Sequence, residues 1–483
     1  MKFIMKNIFI VFLGVILIFT SNSCDEALDI NTNPLAATAA DPNAVLPYVI
    51  VQYSNRKITE LGTRTMDVPQ YLSNCFNSPK NGATTSFLTG NTWNMYYTQV
   101  LGNLTLVEKD AKETGITTNN VAAIAIILKA LSFYELSSIW GDVPFSEALN
   151  GQEFPFPNFD KQQDVFNGVL SQLDEAISLI DNMPTDGTNF DVSVGDLVYG
   201  GDMDKWKQFA NSLKLRVLML IRNVDTSVDT KINQVLAETL IETNGDIALV
   251  RYTDSPGQQN AWQQLVTAFF GGTNEESGVY AASPVFYDLL NDKNDPRFGL
   301  FIFDPNSDGP APVGVHGFSG NYAYISNNII RNDFCDIWFT PSEISLFKAE
   351  LALKGVITGD PQVFFEEGIT NSLEFWGKNI PGGITKLTDV EISDFVATLP
   401  DLNALSNADA LKEVYENQYI DGFMRPIVAW NHVRRTNVPS LSAPPAATIS
   451  TILKRFDYPP NEIGSNPNTP ANPATDTKMW FEN

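Results

Sequence analysis

Val121-Ala122-Ala123-Ile124-Ala125-Ile126-Ile127-Leu128-Lys129-Ala130-Leu131-Ser132-Phe133-Tyr134-Glu135-Leu136-Ser137-Ser138-Ile139-Trp140, closed by Gly141 with Pro144 beyond, decides the fold of this 483-residue chain. It is rich in Ala, Ile and Leu, and Phe133, Leu136 and Trp140 recur at helical spacing, so it predicts a helix that stops at the glycine. Four further stretches read the same way. Asp160 to Met183 opens with Asp160 and Gln163 in capping-box spacing and repeats Val165, Val169, Leu173 and Ile177. Trp206, Phe209, Leu213, Val217 and Leu220 mark one face of another helix. Thr340-Pro341-Ser342-Glu343 predicts a capping box with proline at the first helical position, leading a helix through Lys354. Asp360 and Pro361 open the next, with Phe364, Phe365 and Ile369. These are core stripes. Helix pairs of this length joined by short turns predict a mainly α protein of tetratricopeptide-like packing. Stacked hairpins there close each other's apolar faces into a curved, right-handed superhelix.

Between Ile247 and Phe339 the helical periodicity fades while glycine, proline, asparagine and aromatics rise. That stretch predicts an irregular, loop-rich second lobe, with Phe298 to Phe303 and Tyr322 to Ile325 as short strands. Loops on a rigid frame are where recognition usually sits. From Pro439 to Pro473 recurring proline predicts extended chain wrapped on the scaffold.

The N-terminus has the order of an export signal. Lys2 and Lys6 precede an apolar run from Ile8 to Phe19, too short to span a bilayer, and Thr20-Ser21-Asn22-Ser23 leads to Cys24. A cysteine at the cut predicts a lipoprotein whose mature chain starts at an acylated Cys24, held by several chains at about 0.8 kcal/mol per buried CH₂. No second apolar stretch is expected to cross a membrane. The division that follows is a signal peptide at 1–23, a flexible tether at 24–47, an N-terminal helical part at 48–246, a ligand-binding lobe at 247–339 and C-terminal helical repeats with an extended tail at 340–483. The signal peptide carries two of the 31 Lys and Arg and none of the 56 Asp and Glu, so cleavage moves the net charge from −25 to −27. That balance makes nucleic acid and anionic lipid head groups poor partners, leaving the lipid anchor as the expected membrane contact. Cys75 and Cys335 remain as either a disulfide or two free thiols.

Several blocks, taken in order, resemble the SusD/RagB family of outer-membrane nutrient-binding lipoproteins, and its SusD-like branch most. They are Cys24-Asp25-Glu26-Ala27-Leu28-Asp29-Ile30-Asn31-Thr32-Asn33-Pro34, Trp140-Gly141-Asp142-Val143-Pro144-Phe145-Ser146-Glu147-Ala148 and Phe159-Asp160 with Gln162. Asp196 to Tyr199, Gly200-Gly201-Asp202, Trp206 and Ala210 to Arg216 follow, then Ala349 to Gly355 and Trp430-Asn431-His432-Val433-Arg434-Arg435-Thr436. The resemblance implies a helical tetratricopeptide-like frame with a variable lobe, docked as a lid on a SusC-like TonB-dependent transporter. It implies capture of oligosaccharides or peptides and their delivery to the barrel. The blocks themselves read as structural: Gly141 suits a helix end that needs positive φ, and Arg434 and Arg435 are expected to meet buried carboxylates or carbonyls.

Catalytic patterns are weak. His316 and His432 lie in no HExxH, and neither a GxSxG elbow nor a P-loop is present. Glu275 and Glu276 are neighbours in sequence, which does not set two carboxylates across a glycosidic bond. The chain reads as a non-enzyme, with a protein scaffold as the alternative and a glycan hydrolase third. Asp304, Asn306, Asp308 and Gly309 match half of a calcium loop, but Val315 stands at its twelfth position, so an Asx-rich turn is favoured over a weak calcium site, and no other cofactor is expected beyond the lipid. A shallow sugar site gains affinity by stacking and orients by hydrogen bonds. The expected ligand contacts are Tyr71, Asn74 and Phe76 before the Trp93 helix, and Trp262, Asn274, Tyr280, Tyr322 and Tyr324 in the central lobe.

Overall fold

The computed structural model describes residues 41–74, 84–314, 321–383, 386–445 and 447–482. From Asp41 onward the chain is one compact unit, so the stretches 48–246, 247–339 and 340–483 share one body. Cys24, Cys75, Phe76, Val315 and His316 lie outside the described residues.

Helix α1 spans Pro42–Arg56, so its first six residues lie in the segment expected to be tether. Asp41 accepts the Asn43 N–H at 3.0 Å and Pro42 sits in the first turn, while Leu46, Val49, Ile50 and Tyr53 are buried. That apolar stripe outweighs the loss of a hydrogen bond at Pro47 inside the helix. A π-helical turn, Lys57–Gly62, continues it. Helix α2 (Ser86–Asn94) runs through a second π-helical turn, Met95–Leu101, into α3 (Gly102–Thr114).

The frame then follows as antiparallel helices: α4 (Asn119–Trp140), α5 (Gln162–Asp181), α6 (Met203–Arg222) and α7 (Asp229–Leu236). Helix α4 packs against both α3 and α5, and α5 against α6, the stacked-hairpin arrangement of a tetratricopeptide-like frame. Nearly every residue of α4 from Asn120 to Trp140 is buried, each large aliphatic side chain contributing about 1.5–3 kcal/mol. Contrary to expectation, Ile116–Trp140 is long and apolar enough to cross a membrane; its surroundings are protein, with 94% of its most apolar window buried.

Helix ends depart from sequence logic wherever tertiary partners compete for the same side chains. The capping box expected at Asp160 does not form. Its carboxylate instead accepts the N–H groups of Phe145 and Ser146 at 2.9 and 2.8 Å, and Asp142 takes the Gln162 N–H at 3.0 Å. The box expected at Thr340 is likewise open: Thr340 donates to Asp421, and Glu343 is drawn into a buried ion network.

The central lobe is built on two small sheets. The first has the order β1 (Leu72–Asn74), β3 (Tyr280–Ala282), β5 (Tyr324–Ile325), β4 (Ile302–Phe303), all antiparallel. The second pairs β2 (Ala248–Val250) with β6 (Asp336–Phe339). Phe298–Phe301, expected as strand, is a helical turn leading into β4, because Arg297 before it is pinned in the core by Asp295, Ser372 and Asn417. Helices α8 (Ala261–Phe270) and α9 (Pro284–Asp292) cover this lobe.

Helices α10 (Pro341–Leu353), α11 (Pro361–Glu374), α12 (Asp389–Val396) and α13 (Asn407–Asp421) form a second cluster around Leu346, Phe365, Ile369 and Leu373. Helix α14 (Pro426–Thr436) carries the paired arginines. Arg435 grips Glu350 through both nitrogens at 2.6 and 2.9 Å, and Arg434 donates to the Lys454 carbonyl, the buried partners expected of them. Arg216 binds both oxygens of Glu343 at 2.6 and 2.8 Å, and Arg425 joins Glu343 to Asp421. These pairs tie three distant stretches of chain together. The tail then runs extended over the frame, its backbone held by Trp430 on the Leu453 carbonyl and Trp140 on the Asp457 carbonyl, with one short helix, α15 (Pro460–Ser465). Cys335 is a free thiol in the core, where burial pushes its pKa up to about 12.

Candidate functional site: a cleft between three segments

Helix α2 owes its position to Thr85, whose hydroxyl accepts the Leu88 N–H at 3.1 Å, and to Leu88, Thr89 and Thr92, which turn inward. Its opposite face presents Gly90, Asn91 and Asn94, and the π-helical turn that follows adds Tyr97 and Thr98. Trp93 and Tyr97 lie four residues apart with ring centroids 4.7 Å apart. Trp93 is met edge-on by Trp140 at 5.1 Å and Tyr458 at 6.3 Å and lies nearly parallel to Phe159 at 6.2 Å, so the pair is held in place.

The second wall is the turn after α4. Gly141 adopts φ +83°, which ends the helix through its N–H on the Ser137 carbonyl and reverses the chain. Val143 and Asp160 then bridge backbone to backbone, and the Asp160 carboxylate fixes Phe145 and Ser146. Pro144, Ala148, Leu149 and Pro157 are left facing α2, and the Tyr97 hydroxyl donates to the Pro144 carbonyl at 2.7 Å.

The tail supplies the third wall. Tyr458 donates to the Asp142 carbonyl at 2.7 Å, Asn466 to the Pro157 carbonyl at 2.9 Å and Asn468 to the Phe156 carbonyl at 2.8 Å. These bonds strap α15 to the turn, and Pro459, Asn461, Glu462 and Ser465 close the cleft.

The enclosed volume is about 640 Å³, open to solvent, within the range of small-molecule sites. Its described lining mixes the partly exposed Tyr97, the largely buried Trp93 behind it and prolines with the amides of Asn94 and Asn461, the Asn91 amide that donates to Glu60 at 3.2 Å, and the hydroxyls of Ser86, Thr98 and Ser465. Burial, and secondarily the negative charge of Glu462, push the Tyr97 phenol well above its ordinary pKa, so it stays a hydrogen-bond donor. Glu462 is the one carboxylate among the described lining residues, so those residues do not hold the paired acids of a glycosidase. Stacking faces and neutral amides suit binding. A second cavity, about 40 Å³ among Arg216, Glu343, Arg425, His432 and Arg435, is of water size and belongs to the buried ion network.

The expected contact residues lie elsewhere. Tyr71, Trp262, Asn274 and Tyr280 are core, none more than 2% exposed, and present no face to a ligand. Tyr71 stacks on Tyr419 at 4.2 Å and meets Phe286 edge-on, Trp262 packs edge-on against Tyr280, and the Asn274 amide is spent on the Tyr280 backbone and the Ile325 carbonyl. Asn74 ends β1 opposite Tyr280. Tyr322 and Tyr324 are partly exposed in the sheet lobe, outside the cleft. Glu275 accepts the Asn327 N–H and Glu276 closes a capping box on Thr273. The Asp304 carboxylate receives the Asp308 and Gly309 N–H groups and the Tyr287 hydroxyl, an Asx-type turn. The cleft residues missed from sequence had one local signal: Asn91, Asn94 and Thr98, with Trp93 and Tyr97, recur at helical spacing. Nothing local announces Asn461 and Glu462.

A family model described as SusD-like, starch-binding proteins associating with the outer membrane, matches residues 34–459. No curated protein matches in sequence. Among solved structures, a Bacteroidetes AC2a SusD-like protein superposes with a TM-score of 0.77 at 21% identity, covering 92% of this chain and 100% of its own. A protein named as chitin-binding gives the same values. A SusD homolog from Bacteroides uniformis gives 0.75 at 20% identity, covering 92% and 98%.

Proposed function

The chain belongs to the SusD-like family, and from that membership we propose that it is a surface receptor that binds oligosaccharide in the cleft between α2, the turn after α4 and α15, and performs no chemistry. The cleft itself carries the reading. Sugar rings have apolar faces and hydroxyl edges, and the partly exposed Tyr97, held against the buried Trp93, beside the amides of Asn94 and Asn461 offers a partner to each. The family's association with the outer membrane agrees with an acylated Cys24 that anchors the chain at the cell surface. Delivery of the captured nutrient to a SusC-like TonB-dependent transporter completes the proposal.

A glycan array on the purified chain, followed by calorimetry with its strongest hit, tests the reading. Asn94→Ala, at an exposed position, is expected to weaken binding at least tenfold with an unchanged melting temperature. Equal affinity in wild type and variant would place the ligand elsewhere.

A further inference from the structure

Charge distinguishes this cleft from a generic sugar site. Its described lining holds no Lys or Arg, and its one formal charge is Glu462. The carboxylate does not swing freely: Asn466, itself buried and anchored on the Pro157 carbonyl, donates to one of its oxygens at 3.1 Å. Among the described residues no cation pairs with Glu462, and Lys161, on the neighbouring turn, is already paired with Asp142 at 2.7 Å. The whole chain carries −25. A uronate, sialate or sulfate entering here would shed hydration and meet a fixed like charge with no compensating partner.

We infer that the cleft admits uncharged sugar chains and rejects anionic ones, and that Glu462 is the residue that sets this preference. The inference rests on the cleft being the sugar site. It also names a gain of function: a cation at position 462 would replace the repelling group with a partner for a carboxylate.

The test is calorimetry on the purified full chain with a panel of uncharged hexasaccharides, including maltohexaose and chitohexaose, against size-matched oligogalacturonate and hyaluronan. Wild type is expected to bind at least one uncharged chain, with affinity cut at least tenfold by Asn94→Ala, and to bind the anionic chains at least tenfold more weakly. Glu462→Lys is expected to raise oligogalacturonate affinity at least tenfold. Should that variant misfold, the isosteric Glu462→Gln removes only the charge and is expected to raise it about threefold. Anionic chains bound as tightly as uncharged ones, and lost with Asn94→Ala, would overturn the charge inference while leaving the cleft as the sugar site. Failure of every uncharged chain to bind, or binding indifferent to Asn94→Ala, would overturn the site and the inference together. Anionic affinity unmoved by both substitutions at 462 would remove Glu462 from the account.

Discussion

Gly90 is a sharp probe of the cleft because stability and binding should move in opposite directions there. It lies inside α2, where a glycine costs about 1 kcal/mol relative to alanine through backbone entropy. No turn or positive φ requires it, and a Cβ built on it meets nothing within 4 Å. The open space is the cleft. Gly90→Ala should therefore stabilise the protein by about 1 kcal/mol. Spread over roughly 440 folded residues at about 2.1 cal/mol/K each, that is a rise of only about 1 °C in melting temperature, so urea denaturation is the better measurement. Gly90→Leu keeps most of the helical gain and projects a branched side chain into the path of a ligand stacked near Trp93. Calorimetry with the array-selected oligosaccharide should show affinity reduced tenfold or more. Wild-type affinity in the leucine variant would refute passage of the ligand over α2, and a destabilised alanine variant would refute the reading of Gly90 as open space.

The buried ion pairs give further expectations. Glu350→Gln leaves the Arg435 guanidinium buried without its bidentate carboxylate and should cost about 3–5 kcal/mol in urea denaturation, whereas replacing both partners by apolar residues of similar volume should cost less than either single change. His432 is held neutral by burial and then by Arg435, its pKa lowered to about 3. Below pH 6.5 the unfolded chain takes up a proton there that the folded one does not, so stability should fall as pH drops from 6.5 toward 3, by about 2 kcal/mol between pH 7 and pH 5. His432→Gln should flatten that limb in denaturation curves at pH 7, 6 and 5; an unchanged slope would assign it to other groups. Glu350, whose pKa the Arg435 charge holds down against the penalty of burial, adds its own loss only once pH falls below the ordinary carboxylate range near 4.5. Gly141→Ala forces a side chain into φ +83° with its Cβ 3.2 Å from the Arg455 guanidinium, and should cost about 1–3 kcal/mol in the same assay.

The helical frame was legible because its signal is local. The stripe from Val121 to Trp140 and the face from Trp206 to Leu220 declare their period within a few turns, and the structure keeps both as helices. Caps were less legible, since the atoms of a capping box also serve an ion network. Glu343 looked like a box partner, but the long-range claim of Arg216 and Arg425 is stronger than a local bond to Thr340. Aromatics misled for a related reason. Tyr71, Trp262 and Tyr280 have the residue types of a sugar platform, and only their environment makes them core: Tyr71 just before β1 packs on Tyr419 and Phe286, and Trp262 on the buried face of α8 packs against Tyr280 of β3. Asn461 and Glu462 stand more than 350 residues from Asn94, in a stretch whose composition says only extended chain.

The block from Trp140 to Ala148 reads as scaffold, and in the folded chain it is also a wall of the candidate cleft. Gly141 reverses the chain, which lets Asp142 cap α5 and offer its carbonyl to Tyr458; that contact sets α15, and hence Asn461 and Glu462, against α2. Trp140 supports both sides of the same arrangement, with its indole N–H on the Asp457 carbonyl and its ring edge-on to Trp93. Substitutions at Asn94 or Asn461 are thus expected to change what is recognised without disturbing the frame, whereas Asn91 also donates to the buried Glu60 at 3.2 Å. In this architecture scaffold residues determine where the three segments meet, and the proposed sugar preference is left to the solvent-facing side chains at their junction.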